Sequence, residues 1–359
     1  MRIVVAMSGG VDSSVAAALL ARQGHDVIGL SMQLYDQYAP AAGDDHGEIR
    51  FGSCCTLDDL SDARRVARAI GIPHYIVNFE RRFEDHVISD FVREYAAGRT
   101  PIPCVHCNGD LKFASLVERA EGFDAEAVAT GHYAQVDRDP ATGRWRLKRG
   151  ADAAKDQSYF LFTLTQRQLA RACFPVGALD KGSVRDEARR LGLSVAEKDE
   201  SQEICFVAAG EHADFVKRRA DIPSGVIRDR DGHVLGRHEG VHRFTIGQRK
   251  GLGISSAIPL YVIDIDAADA AVTVGPREAL ERDTLTASRV NWMSGQTPSA
   301  PLRATARIRY RHREASATIT TLPDDRARVA FDQPQSAITP GQAVVFYDHE
   351  VVLGGGWID

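Results

Sequence analysis

The chain has 359 residues, 44% hydrophobic and 26% charged, with a formal net charge of −5. This is the composition of a soluble globular protein with room for two or three domains. It excludes a membrane span, because no apolar run approaches about 18 residues, and it requires any nucleic-acid contact to come from a local basic patch rather than from net charge.

The N-terminus enters a strand directly, without a leader-like segment, so the cytosol is the expected compartment. Ile3-Val4-Val5-Ala6 reads as a buried strand and Val15-Ala16-Ala17-Ala18-Leu19-Leu20 as a helix. Val11, Val15, Ala18 and Leu19 fall on one helical stripe. Between strand and helix stands Ser8-Gly9-Gly10-Val11-Asp12-Ser13-Ser14. Such a turn offers unpaired backbone N–H groups and the positive end of the helix dipole, which suit phosphate. Gly9 and Gly10 let backbone approach an anion, the three serines offer hydroxyl donors, and Asp12 is the candidate magnesium ligand. There is no G-x-x-x-x-G-K-[ST], so this is not the Walker loop.

Downstream, Asp26–Met32 reads as a second strand, residues 36–54 as a loop, and Thr56-Leu57-Asp58-Asp59 as a capping box opening a helix with Leu60, Ala63, Ala67 and Ile70 inward. A strand follows at 74–79, then a helix with Phe83, Val87, Phe91 and Tyr95 at spacing four, the loop Thr100–Asn108, a helix from Asp110, and a strand at 125–130 ending in Gly131-His132. This alternation predicts an α/β fold with a doubly wound parallel sheet, whose ligand edge carries the glycine loop, Met32, the two-proline loop and Gly131-His132. A hairpin is expected over 133–149 and a helix capped at Ser183-Val184-Arg185-Asp186. Past residue 206 short alternating runs replace helical periodicity, apart from a helix near 211–219. The expected domains are a catalytic one over 1–205, a small β module over 206–275 and a C-terminal β-barrel over 276–359.

Six cysteines stand at 54, 55, 104, 107, 173 and 205. Cys104 and Cys107 form a C-x-x-C in a proline-stiffened loop, which points to sulfur or redox chemistry or to half a zinc site completed by Cys54 and Cys55. Arg303, Arg307, Arg309, Arg311 and Arg313 share one parity and would line one face of a strand, a row suited to a phosphate backbone.

The serine-glycine loop resembles that of ATP pyrophosphatases. With it occur Thr100-Pro101-x-Pro103-x-x-x-Cys107-Asn108, Ala129-Thr130-Gly131-His132-Tyr133, Lys155-Asp156-Gln157-Ser158-Tyr159-Phe160, Ile204-Cys205-Phe206, Thr245–Gly253, Arg309-Tyr310-Arg311 and Thr339-Pro340-Gly341-Gln342. Together these resemble the bacterial tRNA-specific 2-thiouridylase family along residues 1–356. The resemblance implies ATP-dependent exchange of the 2-oxygen of a wobble uridine for sulfur, with Cys205 carrying a persulfide and Cys107 as second catalytic thiol. It implies ATP contacts from Ala6, Met7, Ser8, Gly9, Gly10, Val11, Asp12, Ser13, Met32 and Gly131, with Mg²⁺ alongside. It implies tRNA contacts from Ile102, Pro103, Cys104, His132, Lys155, Asp156, Gln157, Arg309, Tyr310 and Gln342. By the same resemblance the partners are the Lys, Glu and Gln tRNAs and a sulfur-relay protein or cysteine desulfurase. Two departures stand out: Ile102-Pro103-Cys104 where many relatives have Asn-Pro-Asp, and Ser-Gln-Glu before Ile204-Cys205. Cys104 is thus a third thiol, and an iron–sulfur cluster is an alternative. The other readings are an amide-forming ligase with the same loop and a non-catalytic zinc and RNA-binding module.

Overall fold

The computed structural model describes residues 1–34, 56–199, 204–207 and 210–359. They form two compact units, one of Met1–Val87, Cys104–Ala209 and Glu350–Val352, the other of Ile88–Pro103, Gly210–His349 and Leu353–Asp359.

The first unit holds strands β1 (Arg2–Ala6), β2 (Asp26–Gln33), β3 (His74–Asn78), β4 (Ala127–Ala129), β5 (Ala134–Arg138), β6 (Trp145–Arg149) and β7 (Ala172–Cys173). Five of them make a parallel sheet in the order β3-β2-β1-β4-β7. The chain leaves β1 toward β2 on one side and later returns to β4 on the other. That reversal opens a crevice at the carboxyl ends of β1 and β4, where ligands bind in doubly wound sheets. Ile3 and Val5 face a core shared with the helices Val11–Arg22, Leu57–Ile70 and Lys181–Arg190. Val4 alternates to the other face, where the helix Ala114–Gly122 packs against β1 and β4.

Several elements differ from expectation. The helix Val11–Arg22 is buried almost all round: Leu20 and Ala16–Ala18 are buried, while Leu19 is half-buried. The reason is that two other helices flank it, so one stripe is not enough. The helix Lys181–Arg190 is capped by Asp180, which accepts from the Ser183 amide, so Ser183 is inside the first turn. β7 has two residues and no periodicity to betray it. The capping box at Thr56 and Asp59 forms as the sequence predicts, and Gly71 ends that helix in a left-handed cap. β5 and β6 pair antiparallel as the expected hairpin. The loop expected over 36–54 lies outside the described residues.

The second unit holds β8 (Gly225–Arg228), β9 (Val234–His238), β10 (Tyr261–Asp266) and β11 (Ala271–Gly275), a four-stranded sheet in the order β10-β11-β8-β9. Ile227, Val262, Val272 and Val274 form its core with Val241, Phe244 and Leu252. A six-stranded barrel follows: β12 (Glu281–Trp292), β13 (Leu302–Arg307), β14 (Ala315–Leu322), β15 (Arg326–Ser336), β16 (Ala343–Asp348) and β17 (Val351–Ile358). Their order is β12-β15-β14-β13-β16-β17, and β12 pairs with β17 to close it. The β12–β17 pairing covers Ala287–Trp292 and Gly354–Ile358, and the start of β17, Val351 and Val352, pairs with Lys148 and Leu147 of β6.

Candidate active site

β1 ends at Ala6, half-buried, and the helix opens at buried Val11. Met7 stays in line with the sheet by donating its amide to Leu30 at 2.9 Å. Gly10 is the N-cap, extended at φ −89° and without a side chain to cap the first turn. The first-turn amides are therefore left for a ligand. Gly9 takes φ +76°, and a Cβ there would lie 2.1 Å from the Asp59 carbonyl oxygen. Gly131, just past β4, would place a Cβ 2.5 Å from the Ser13 nitrogen. Two glycines thus let the loop be gripped between the start of the helix Leu57–Ile70 and the end of β4. Met32 lies buried near the end of β2. Its neighbour Ser31 donates to the Met7 carbonyl at 2.6 Å and lies 2.9 Å from His74 Nε2. Burial, with help from the Arg64 charge, pushes the His74 pKa down.

The serine expectation needs correction. Ser14 is fully buried and its hydroxyl donates to the Gly10 carbonyl at 2.8 Å, the back-bond a helical serine makes to the residue four earlier. Ser13 Oγ accepts from the Ser8 amide at 3.1 Å and donates to the Gly10 carbonyl at 3.2 Å. Ser8 is the exposed hydroxyl of the three.

Two lysines meet the loop from far along the chain. Lys181 Nζ lies 2.7 Å from Asp12 Oδ1 and 2.9 Å from Oδ2, and the Tyr133 hydroxyl donates to Oδ1 at 2.8 Å. Lys198 Nζ donates to the Gly9 carbonyl at 3.1 Å and lies 2.5 Å from both Asp59 Oδ1 and Asp62 Oδ2. Sequence reasoning missed Lys181, Lys198, Tyr133, Asp59 and Asp62, since a lysine's partner 169 or 189 residues away leaves no local mark.

Asp12 Oδ1 accepts two bonds and Oδ2 one, leaving Oδ2 capacity for one more partner. That fits a magnesium ion held chiefly by phosphate oxygens and water, as Mg²⁺ commonly rides on nucleotides. It does not fit a cage of protein ligands. Among the described residues, the group of three side chains close enough to hold an ion is Asp229, Asp231 and His233, beside the β8–β9 turn of the second unit.

The C-x-x-C is helical, not a loop. A helical turn starts at Pro103 and runs on through a π-helical stretch, Cys107–Phe113, into Ala114–Gly122. Proline suits the first helical position because its missing N–H would have no partner there. Cys104 is exposed and Cys107 buried. Gly109 permits close packing, since a Cβ would meet Thr163 Oγ1 at 2.1 Å. Cys205, half-buried, lies in the same unit. Phe206 packs edge-on against Phe83 at 5.4 Å, and the turn Glu80–Phe83 packs against the stretch that starts at Cys107. Cys54 and Cys55 lie outside the described residues, as do residues 201–203. Burial raises the Cys173 pKa, as for an inert thiol.

Of the first-unit residues that the resemblance gives to tRNA, His132 adjoins Tyr133 in the chain and Gln157 is bonded to it. Gln157 accepts from the Tyr133 amide at 3.0 Å and donates its own amide to the Tyr133 carbonyl at 2.9 Å. Asp156 is buried and accepts from the Gly150 and Ser158 amides. These two side chains shape the turn, with Lys155 half-buried beside them. His132 lies 2.7 Å from Thr130 Oγ1, and burial, with the Lys112 charge, pushes its pKa down to about 3. It is a neutral imidazole.

In the second unit Gln342 Nε2 donates to the Thr100 carbonyl at 3.0 Å and to the Pro101 carbonyl at 3.3 Å. The Thr100 amide donates back to Pro340 at 2.9 Å. Gln342 therefore fixes the run leading into buried Ile102 and Pro103. The arginine row is corrected. β13 ends at Arg307, and residues 308–312 turn, so only Arg303 and Arg307 share a strand face. Arg303 is neutralised by Asp332 at 2.7 Å, Arg307 sits over the Tyr347 ring, and Arg309 Nη2 donates to the Ser336 carbonyl at 3.3 Å beside half-buried Tyr310. Parity alone does not report where a strand stops.

Among the described residues no helix is long and apolar enough to cross a membrane. A family model described as the tRNA methyl transferase HUP domain matches residues 1–209. Models described as the tRNA methyl transferase PRC-barrel domain and the aminomethyltransferase beta-barrel domain match 213–276 and 282–358. The chain is 55% identical to the tRNA-specific 2-thiouridylase MnmA of Geotalea uraniireducens, over 100% of this chain and 95% of the relative. It is 53% identical to that of Solibacter usitatus over 99% of both, and 54% identical to that of Geobacter metallireducens over 100% and 96%. Matches of this extent set aside the amide-forming ligase and the non-catalytic zinc and RNA module. The chain belongs to the tRNA-specific 2-thiouridylase family and is a transferase that puts sulfur on carbon 2 of a tRNA uridine.

Proposed function

We propose that the chain adenylates the 2-oxygen of a wobble uridine with ATP bound at Ala6–Ser13, Met32 and Gly131, then replaces it with sulfur from a Cys205 persulfide. The observation that carries this reading is the loop gripped by Asp59 and Gly131, whose first-turn amides have no side-chain cap. The uridine oxygen attacks the α-phosphorus, the bond to the β-phosphate breaks, and pyrophosphate leaves. The carbonyl oxygen has then become part of AMP, a far better leaving group. When bound, Mg²⁺ supplies positive charge to the departing pyrophosphate.

Two routes for sulfur balance. In one, the terminal persulfide sulfur attacks carbon 2, AMP departs, and Cys107 thiolate attacks the Cys205 sulfur to free the thiocarbonyl. In the other, Cys107 thiolate attacks Cys205 first and releases hydrosulfide, which then attacks carbon 2. Either leaves a Cys107–Cys205 disulfide that an external thiol must reduce. The sulfur donor is a persulfide-carrying relay protein or a cysteine desulfurase, and the substrates are the Lys, Glu and Gln tRNAs. Ile102, Pro103 and Cys104 flank the base, while His132, Lys155–Gln157, Arg309, Tyr310 and Gln342 hold or shape the RNA-contacting surface.

The test is nucleoside mass analysis of tRNA incubated with enzyme, ATP and a persulfide donor. Cys205→Ser is expected to yield no 2-thiouridine while binding tRNA as wild type does. Thiolation by that variant would end the persulfide assignment.

A further inference from the structure

Lys198 is not among the residues that the resemblance gives to the nucleotide or to tRNA, yet it touches the glycine loop itself. Its ammonium holds the Gly9 carbonyl at 3.1 Å while Asp59 and Asp62, both on the helix Leu57–Ile70, hold the ammonium at 2.5 Å each. The Asp59 and Asp62 side chains are 7% and 13% exposed and Lys198 30%, so this is a half-buried buttress and not a fully solvated surface ion pair. Burial works against the Lys198 charge, but the two carboxylates outweigh it and raise its pKa.

The consequence follows from peptide geometry. In a trans peptide the C=O and the next N–H point in opposite directions. A cation that fixes the Gly9 carbonyl toward Asp59 and Asp62 therefore turns the Gly10 N–H away from that wall. A Gly-Gly linkage has little intrinsic preference between orientations, because neither residue carries a Cβ. Without the buttress the peptide could flip, and an anion would meet a carbonyl oxygen instead of an amide.

We infer that Lys198 is a positioning residue that aims the Gly10 N–H at the nucleotide's β-phosphate, the group that leaves as pyrophosphate. The inference rests on the nucleotide reading of the loop. It assigns Lys198 to the phosphate end of ATP and to no contact with adenosine.

Calorimetric titration of the full-length enzyme with inorganic pyrophosphate, ATP and adenosine tests it. In Lys198→Met the affinities for pyrophosphate and ATP should fall about tenfold, the worth of one charge-assisted hydrogen bond. Adenosine affinity should stay as in wild type, and Lys198→Arg should recover most of the loss. Because Lys198→Met strands two carboxylates, the pair Lys198→Met with Asp62→Asn is measured beside it as the better-balanced fold. Unchanged pyrophosphate affinity in these folded variants would overturn the inference. So would equal losses for adenosine and pyrophosphate without rescue by arginine, which would mean support of the fold only. Failure of wild type to bind pyrophosphate or ATP would instead bring down the nucleotide reading beneath it.

Discussion

Lys181 closes on Asp12 across 169 residues of chain, with Nζ 2.7 Å and 2.9 Å from the two carboxylate oxygens. The pair joins the first turn of one helix to the first residue of another. Tyr133 completes it, its hydroxyl on Asp12 and its ring 5.8 Å from the ammonium. The Asp12 carboxylate of the glycine loop is therefore oriented by the fold itself.

That pair gives a stability prediction. Lys181→Met should cost about 1–2 kcal/mol, less than a fully buried pair because Asp12 keeps some solvent. Asp12→Asn combined with Lys181→Met should cost less than the sum of the single changes, since each removes the same interaction. Denaturant titration of the four proteins measures the coupling, and strict additivity would refute it.

Gly131 and Gly122 make a matched comparison. A Cβ at Gly131 would lie 2.5 Å from Ser13 N and 2.6 Å from the Asp12 carbonyl carbon, whereas at Gly122 nothing lies within 4 Å. Gly131→Ala should destabilise by about 1–3 kcal/mol through overpacking and weaken ATP binding. Gly122→Ala should be neutral or stabilising by up to about 1 kcal/mol. Thermal melts with and without ATP read both effects.

His132 carries a pH signature. Its pKa, pushed down to about 3 in the fold by burial and then by the Lys112 charge, stands below the ordinary value of 6.5. The unfolded chain therefore binds the extra proton first as pH falls. The stability associated with neutral His132 is complete above about pH 6.5 and declines as pH drops toward 3. His132→Gln should flatten the fall of stability between about pH 6 and 4. A curve identical to wild type would contradict the depressed pKa.

Salt dependence should separate two of the residues of the second unit proposed to act on tRNA. Gln342 is neutral and supports Thr100 and Pro101, while Arg309 is charged. Arg309→Ala should reduce the slope of log K against log salt by about one, and Gln342→Ala should lower affinity with the slope unchanged. Filter binding across a salt series distinguishes them.

Thiol reactivity should follow exposure. Cys104 is exposed, Cys107 buried and Cys173 half-buried with a raised pKa. In the folded enzyme iodoacetamide should reach Cys104 before Cys107 and Cys173, as timed mass spectrometry would register.

What lies in local sequence proved legible from local sequence. The strand-glycine-helix turn, the Thr56–Asp59 capping box and the 133–149 hairpin each depend on residues within a few positions of one another. The alternation of strands and helices was enough to predict the parallel sheet and the change to β structure. Other features follow from what the chain meets after folding. Ser14 looked like a donor to phosphate, but burial turned its hydroxyl onto Gly10. The arginine row kept its parity while its strand stopped at Arg307. The prolines around the C-x-x-C suggest a loop, whereas the chain is helical from Pro103. Only the tertiary structure could bring Lys181 and Lys198 to the loop, because Coulomb attraction and hydrogen bonding depend on distance in space, and residues so far apart in the chain have no shared pattern to announce them.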